Sequence, residues 1–132
     1  VANDVVGGII SLATINYATG RRVKLKKLMI NEAGGVTPAV RVYFFKSTPT
    51  GGTYTDNAAL VWAAGDSANK VGLVSVAATD YLTDASQSSV AIADINQQMA
   101  VSATTLFMLI VSQGSYTLTN GNLNINLEFE QE

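Results

Sequence analysis

Acid–base chemistry in this chain falls to ten carboxylates, because histidine and cysteine are both absent. They are Asp4, Glu32, Asp56, Asp66, Asp80, Asp84, Asp94, Glu128, Glu130 and Glu132. Two of them brought together by a fold could form the acid and base of a glycosidase. Most, however, fall in Gly-, Asn- and Ser-rich stretches, where a carboxylate bonds nearby backbone and stabilises a turn. Asp80 and Asp84 could offer oxygens to Ca²⁺, but the regular ligand spacing and closing Glu of a calcium loop are missing, so a structural turn is expected. Ser11 and Ser112 have no histidine to activate them and no Gly-x-Ser-x-Gly setting. Gly7-Gly8 is not a phosphate loop, since no Gly-Lys-Ser/Thr and no third glycine at dinucleotide spacing follow it. No catalytic residue, metal ligand or cofactor is therefore expected, and the chain reads as a non-enzyme.

The groups that remain are suited to binding. Arg21, Arg22, Lys24, Lys26 and Lys27 hold five of the eight positive charges. Such a cluster can contact phosphates. Here the net charge is −2, and no aromatic residues interleave with the lysines to stack bases, so no nucleic acid is expected and a salt-bridging patch facing a protein is preferred over a purely solvated face. At the other end, Glu128 and Glu130 offer an acidic strip to a basic neighbour. Tyr54 and Trp62 could form a sugar-stacking platform, or serve as a core or interface anchor; with one tryptophan in the chain the anchor is the preferred reading.

The elements that would carry these residues read as strands. Val5 to Ile15 is rich in β-branched residues, with Gly7-Gly8 marking a bulge or a close backbone approach. Asn16 to Gly20 is a turn. Leu25, Leu28 and Met29 allow a basic amphipathic helix over 21–30, but a strand with one extra residue at Lys26-Lys27 keeps Val23, Leu25, Leu28 and Ile30 on a single apolar face. The bulged strand is preferred because strand-like segments flank it, with Asn31 to Gly35 as the following turn. Ala39 to Lys46 alternates Val40, Val42 and Phe44 against Arg41, Tyr43 and Phe45, which predicts a strand whose second face is partly covered. A long loop with Pro49, Gly51 and Gly52 follows. Residues 57–64 fit a short strand or one turn of helix, and 65–69 reads as another turn or a single helical turn capped by Asp66.

Val71 to Ala77 reads as a strand, and Thr79 to Gln87 as a polar loop pinned by Tyr81 and Leu82. Ser89 to Ile95 is a further strand. Leu106 to Val111 is apolar on both faces and should be the most buried. Leu123 to Phe129 alternates fully, with Leu123, Ile125, Leu127 and Phe129 inward. About eight short strands with no long helix predict an all-β fold, an antiparallel β-sandwich over residues 1–132. The long connections at 46–57 and 79–88 favour crossing between sheets, and so a jelly-roll-like order.

Composition bounds the setting. At 132 residues the chain should bury roughly two-thirds of its unfolded surface, enough for one core without staples. Only 14% of residues are charged, well below the roughly 25% of an average domain, and a surface so poor in charge suits a chain covered by neighbours, such as a homo-oligomer, with a neutral monomer under a polar coat as the alternative. No apolar run reaches the ~20 residues of a membrane helix, and the first residues lack the basic-then-apolar order of a secretory leader. A soluble, mature chain with no membrane partner is expected, and the lack of cysteine suits assembly in a reducing cytoplasm.

Two stretches carry a resemblance. The first is Phe44-Phe45-Lys46-Ser47-Thr48-Pro49-Thr50-Gly51-Gly52-Thr53-Tyr54-Thr55-Asp56-Asn57-Ala58-Ala59-Leu60, and the second is Asp66-Ser67-Ala68-Asn69-Lys70-Val71-Gly72-Leu73-Val74. A strand ending in Phe, a Ser/Thr-Pro-Gly loop, Thr-aromatic-Thr-Asp-Asn-Ala-Ala, then Ala-Asn and a hydrophobic-Gly step resembles a group of small capsid-associated proteins of tailed bacteriophages. That resemblance implies a decoration, or cement, protein on the outer head surface of the virion, made in the host cytoplasm. Its partner would be the major capsid protein, and dimers or trimers would bind at subunit junctions. The resemblance supplies no site residues, and Thr55 to Ala59 reads as a structural turn. A carbohydrate- or receptor-binding module of a phage tail or fibre is the alternative, for which Tyr54 and Trp62 would have to be exposed and coplanar.

Overall fold

A computed structural model describes residues 2–13, 22–83, 89–100, 104–119 and 121–131. Eight strands form in chain order: β1 (Val5–Leu12), β2 (Arg22–Glu32), β3 (Val40–Phe45), β4 (Lys70–Val76), β5 (Tyr81–Thr83), β6 (Ser89–Ala100), β7 (Leu106–Ser112) and β8 (Leu123–Gln131). One short helix, α1 (Ala64–Ser67), precedes β4. The strands make two four-stranded antiparallel sheets, ordered β1-β7-β3-β4 and β5-β6-β2-β8. The all-β sandwich expected from the alternation is present. The chain passes between sheets at every connection except β3–β4 and β5–β6.

The inner faces interdigitate as period-2 alternation requires. Val23, Leu25, Leu28 and Ile30 of β2 are fully buried and meet Val40, Val42 and Phe44 of β3 and Leu106, Met108 and Ile110 of β7. Each large apolar side chain so enclosed contributes about 1.5–3 kcal/mol. The bulge predicted in β2 lies where expected in its pairing with β8, where Leu25 and Lys27 face the adjacent residues Phe129 and Glu128 and Lys26 is the extra residue. Against β6 the register also shifts here, but the extra residue is on β6, where Ile95 and Asn96 lie between the partners Asp94 and Gln97. Gly7 and Gly8 take positive φ values of 78° and 74° where β1 shifts register against β7. That conformation favours glycine, because a Cβ there crowds the backbone.

Several expectations are corrected. The connection after β3 does not cross; residues 46–69 return to β4 in the same sheet. The physical reason lies on β3, where Tyr43 and Phe45 project from the outer face and are buried, together with Leu109 and Val111 of β7 and Val5 of β1. The returning segment lays Tyr54, Leu60 and Trp62 over them as a second core. Residues 57–63 are neither strand nor helix there, although two isolated bridges, Asp4 to Ala59 and Thr53 to Val61, tie the segment down. The expected crossing near 79 does occur, between β4 and β5.

Strand β5 stands within the stretch expected to be a loop. It keeps Tyr81 buried, with its hydroxyl donating to the Pro38 carbonyl at 2.8 Å, whereas Leu82 is 80% exposed and pins nothing. β6 runs five residues further than Ile95, to Ala100, because β2 beside it is long enough to pair that far. β1 ends at Leu12, and the turn predicted for 16–20 lies outside the described residues.

The two sides of the sandwich differ. On one side, Gln97 of β6 reaches the edge strand β4: its Oε1 accepts from the Leu73 N–H at 3.0 Å and its Nε2 donates to the Leu73 carbonyl at 3.2 Å. Gly72 leaves room for this, since an added Cβ would lie 2.6 Å from the Gln97 oxygen and 2.5 Å from Met99. On the other side the sheets diverge. A cleft of about 890 Å³ opens between β1 and β8, lined by Ile10, Leu12, Ile110, Ile125 and Phe129 among others.

Candidate functional site

The outer face of the β5-β6-β2-β8 sheet gathers the charged candidates into cross-strand rows. Lys27 of β2 sits between Asp94 of β6 and Glu128 of β8. One row along, Lys24 sits between Gln98 and Glu130. Residues opposed in this way have Cβ atoms about 4.5–5.5 Å apart, close enough to interact. The bulged residue, Lys26, reaches Glu130 with Nζ 3.6 Å from Oε2. The basic stretch and the acidic strip, which the sequence offers as separate patches for separate partners, therefore share one surface. Arg22 is exposed at the start of β2, and Arg21 lies outside the described residues.

Interleaving changes what this surface can do. Arg22, Lys24, Lys26 and Lys27 are offset by Asp94, Glu128 and Glu130, so the face carries little net charge. Exposed pairs of this kind contribute about 0–1 kcal/mol to folding and act over a Debye length of about 8 Å at physiological salt. They suit short-range matching to a partner with complementary rows and give little long-range steering. The charged rows give way to apolar residues toward β5, where Leu82 is opposite Val90 and Ile92 opposite Met29. Ile92 is 59% exposed. Leu82, Val90, Ile92 and Met29 form a contiguous apolar patch of the kind that marks interaction sites.

Tyr54 and Trp62 lie elsewhere, in the covering of the other sheet. Tyr54 is buried, and its hydroxyl donates to Asp66 Oδ2 at 2.6 Å. Asp66 also accepts from the Gly51 N–H at 2.7 Å and the Thr50 N–H at 3.0 Å. The cap expected of Asp66 is thus replaced by a loop clamp. Ala63 occupies the N-cap of α1 without a side-chain bond, and Asp66 points back into the 50–54 loop. The Tyr54 hydrogen bond, followed by the Thr50 amide, holds the Asp66 carboxyl below its ordinary pKa against the opposing effect of burial. Burial, then the bond to Asp66, raises the Tyr54 hydroxyl.

Trp62 packs edge-on against Tyr43 at 4.9 Å between centroids and tilts against Phe45 and Tyr54, each at 5.9 Å. Lys70 Nζ stands 3.6 Å from the centre of the Trp62 ring, and burial lowers its pKa. With Tyr54 buried and inclined 55° to Trp62, the two rings do not form an exposed coplanar pair.

The Thr55 to Ala59 segment acts on the backbone. Asp56 Oδ1 accepts from the Gly7 N–H at 2.7 Å, Val5 donates to the Ala58 carbonyl at 2.9 Å, and Asn57 donates to the Val5 carbonyl at 2.9 Å. It therefore clamps the outer edge of β1. Asp80 likewise serves its own turn, accepting from the Ala77 N–H at 2.8 Å.

Glu32 was placed in a turn by sequence reasoning, but it ends β2 and is buried. Its Oε2 accepts from the Val36 N–H at 2.6 Å, while Oε1 has no hydrogen-bond partner among the described residues. Among those residues no group of three or more acidic side chains is arranged to hold a metal ion. The exposed Leu82 and Ile92 were also missed. An alternating strand pattern shows which residues share a face, but not whether another element covers that face. Comparisons with protein-family models, with curated proteins and with solved structures return no match for this chain.

Proposed function

We propose that this chain is a structural virion protein that decorates and stabilises a bacteriophage capsid. It binds the outer surface of the shell of major capsid protein at subunit junctions. The observation that carries this reading is the uncovered face of the β5-β6-β2-β8 sheet, with alternating lysine and carboxylate rows beside an exposed Leu82–Ile92 patch. A desolvable apolar patch bordered on one side by rows of polar and charged groups offers both the apolar and the polar contacts that protein-binding surfaces combine. A binder of this kind needs no catalytic group, and repetition over a symmetric shell multiplies modest contacts through avidity. The resemblance of residues 44–60 and 66–74 to capsid-associated phage proteins supports the same reading.

The test has two parts. The chain should be found on the heads of purified particles, and its absence from heads would reject the reading. Reversing Lys24, Lys26 and Lys27 together to Glu should lower capsid occupancy and flatten its salt dependence, with the isolated protein still folded by thermal melting. Unchanged occupancy and salt dependence would remove this face from the proposal.

A further inference from the structure

Three of the four sheet edges end against something. The β4 edge is met by the Gln97 side chain at Leu73. The start of the β1 edge is held by the 56–60 segment and is then broken by the Gly7-Gly8 bulge. β5 is only three residues long. These are the usual devices by which sheets avoid adding a strand. β8 has none of them. It runs nine residues from Leu123 to Gln131 without proline, glycine or a positive φ. Among the described residues no backbone–backbone hydrogen bond reaches it from any strand but β2. Its inward row of Leu123, Ile125, Leu127 and Phe129 is only half-buried, because it borders the cleft toward β1.

We propose that β8 pairs antiparallel with β8 of a second copy of this chain, about a two-fold axis at Leu127. The two β5-β6-β2-β8 sheets then become one eight-stranded sheet. Side-chain pattern selects the register. A slip by one residue would set the apolar row beside the polar row, so only even slips keep the inner face continuous. Centred on Leu127, all nine residues pair. Leu127 meets its own copy, Ile125 meets Phe129 of the partner subunit and Leu123 meets Gln131 of the partner subunit. On the outer face Asn126 stands opposite Glu128 of the partner subunit, and Asn124 opposite Glu130 of the partner subunit. Every carboxylate faces an amide, which can donate to it. The neighbouring even register on one side puts Glu128 against its own copy, and both neighbouring registers leave two residues of each strand unpaired. The half-buried row beside the cleft gains apolar neighbours in the same step, as an isologous interface requires.

The pairing does not depend on the capsid reading and is measured on the free protein. Sedimentation of the full chain at micromolar concentration should give twice the 13.9 kDa monomer mass, and a monomer overturns the proposal. Because the chain has no cysteine, single substitutions report the register. Under mild oxidation Leu127→Cys should give a covalent dimer, and Asn126→Cys and Glu128→Cys should not. Self-linking at either of the latter instead of at Leu127 rejects the centred pairing. Asn126 is outward-facing, so its variants keep the core intact. Asn126→Glu should weaken the dimer by about 2- to 30-fold and Asn126→Lys should tighten it by a similar factor, from two symmetric cross-strand pairs. A dimer whose Kd responds to neither substitution is built on another surface, and the proposal then fails.

Discussion

The outer faces of the two sheets are built from the same alternating strands and end differently. On the β1-β7-β3-β4 sheet the outward row is aromatic and aliphatic, with Tyr43, Phe45, Leu109 and Val111, and the 46–69 segment covers it with Tyr54, Leu60 and Trp62. On the β5-β6-β2-β8 sheet the outward rows are lysine, carboxylate and amide with one apolar end, and the strands face outward uncovered. An apolar outer face needs a cover, and here the chain supplies its own. A face of interleaved charges is stable in water, and it keeps chemistry available for another molecule. The first face thus adds a second, smaller core to the one between the sheets, while the second stays open to solvent.

Paired substitutions test that division. Phe45→Ala, beneath the covering segment, should destabilise the fold by about 3–5 kcal/mol in chemical denaturation, through lost burial and the cavity it leaves. Ile92→Ala, on the bare face, should change folding by no more than about 0.5 kcal/mol while reducing capsid binding. Equal folding losses at the two positions would end the comparison.

Asp66 gives a smaller effect with a pH signature. Its carboxyl pKa is lowered in the fold, first by the Tyr54 hydroxyl and then by the Thr50 amide. The unfolded chain therefore binds more protons at acid pH, and the stabilisation is present above the unfolded carboxyl value of about 3.9 and lost as pH falls through the lowered one. Asp66→Asn should melt below the wild type at neutral pH, with the gap closing as the solution is acidified. A gap that does not vary with pH would show that the carboxylate's charge is not what holds the 50–54 loop. A small folding effect is also expected for Glu130→Gln. It removes the exposed pair with Lys26 and should cost less than about 1 kcal/mol, while altering the salt dependence of capsid binding.

Much of this architecture is legible along the chain. The β2 bulge shows in its sequence because two consecutive lysines displace the apolar alternation by one step, and the pairing with β8 registers Lys26 as the extra residue. The extra residue that β6 carries at the same level, beside Asn96, has no such sequence signal. The burial of β7 follows from six consecutive apolar residues, Leu106 to Val111. Tyr43 and Phe45 announce that the outer face of β3 must be covered. They do not announce by what, and the expectation that the following connection crosses to the other sheet fails for that reason. The end of β6, polar at Asn96, Gln97 and Gln98, carries no strand signal of its own. It is held by pairing with β2 and, at Gln97, by the edge of β4.

The candidate surface divides in the same way. The residue types at Lys24, Lys26, Lys27, Glu128 and Glu130 are plain in the sequence, as is the poverty of charge elsewhere that makes them conspicuous. That the lysines and glutamates form one face, instead of two opposed patches, depends on pairing β2 with β8 across about a hundred residues of chain. By itself the sequence determined most of the strands, their faces and the absence of histidine and cysteine chemistry, because period, propensity and composition are local properties. Only the tertiary structure decided which face is covered, which edge is open and which charges meet, because those outcomes depend on the register of strands far apart in the chain.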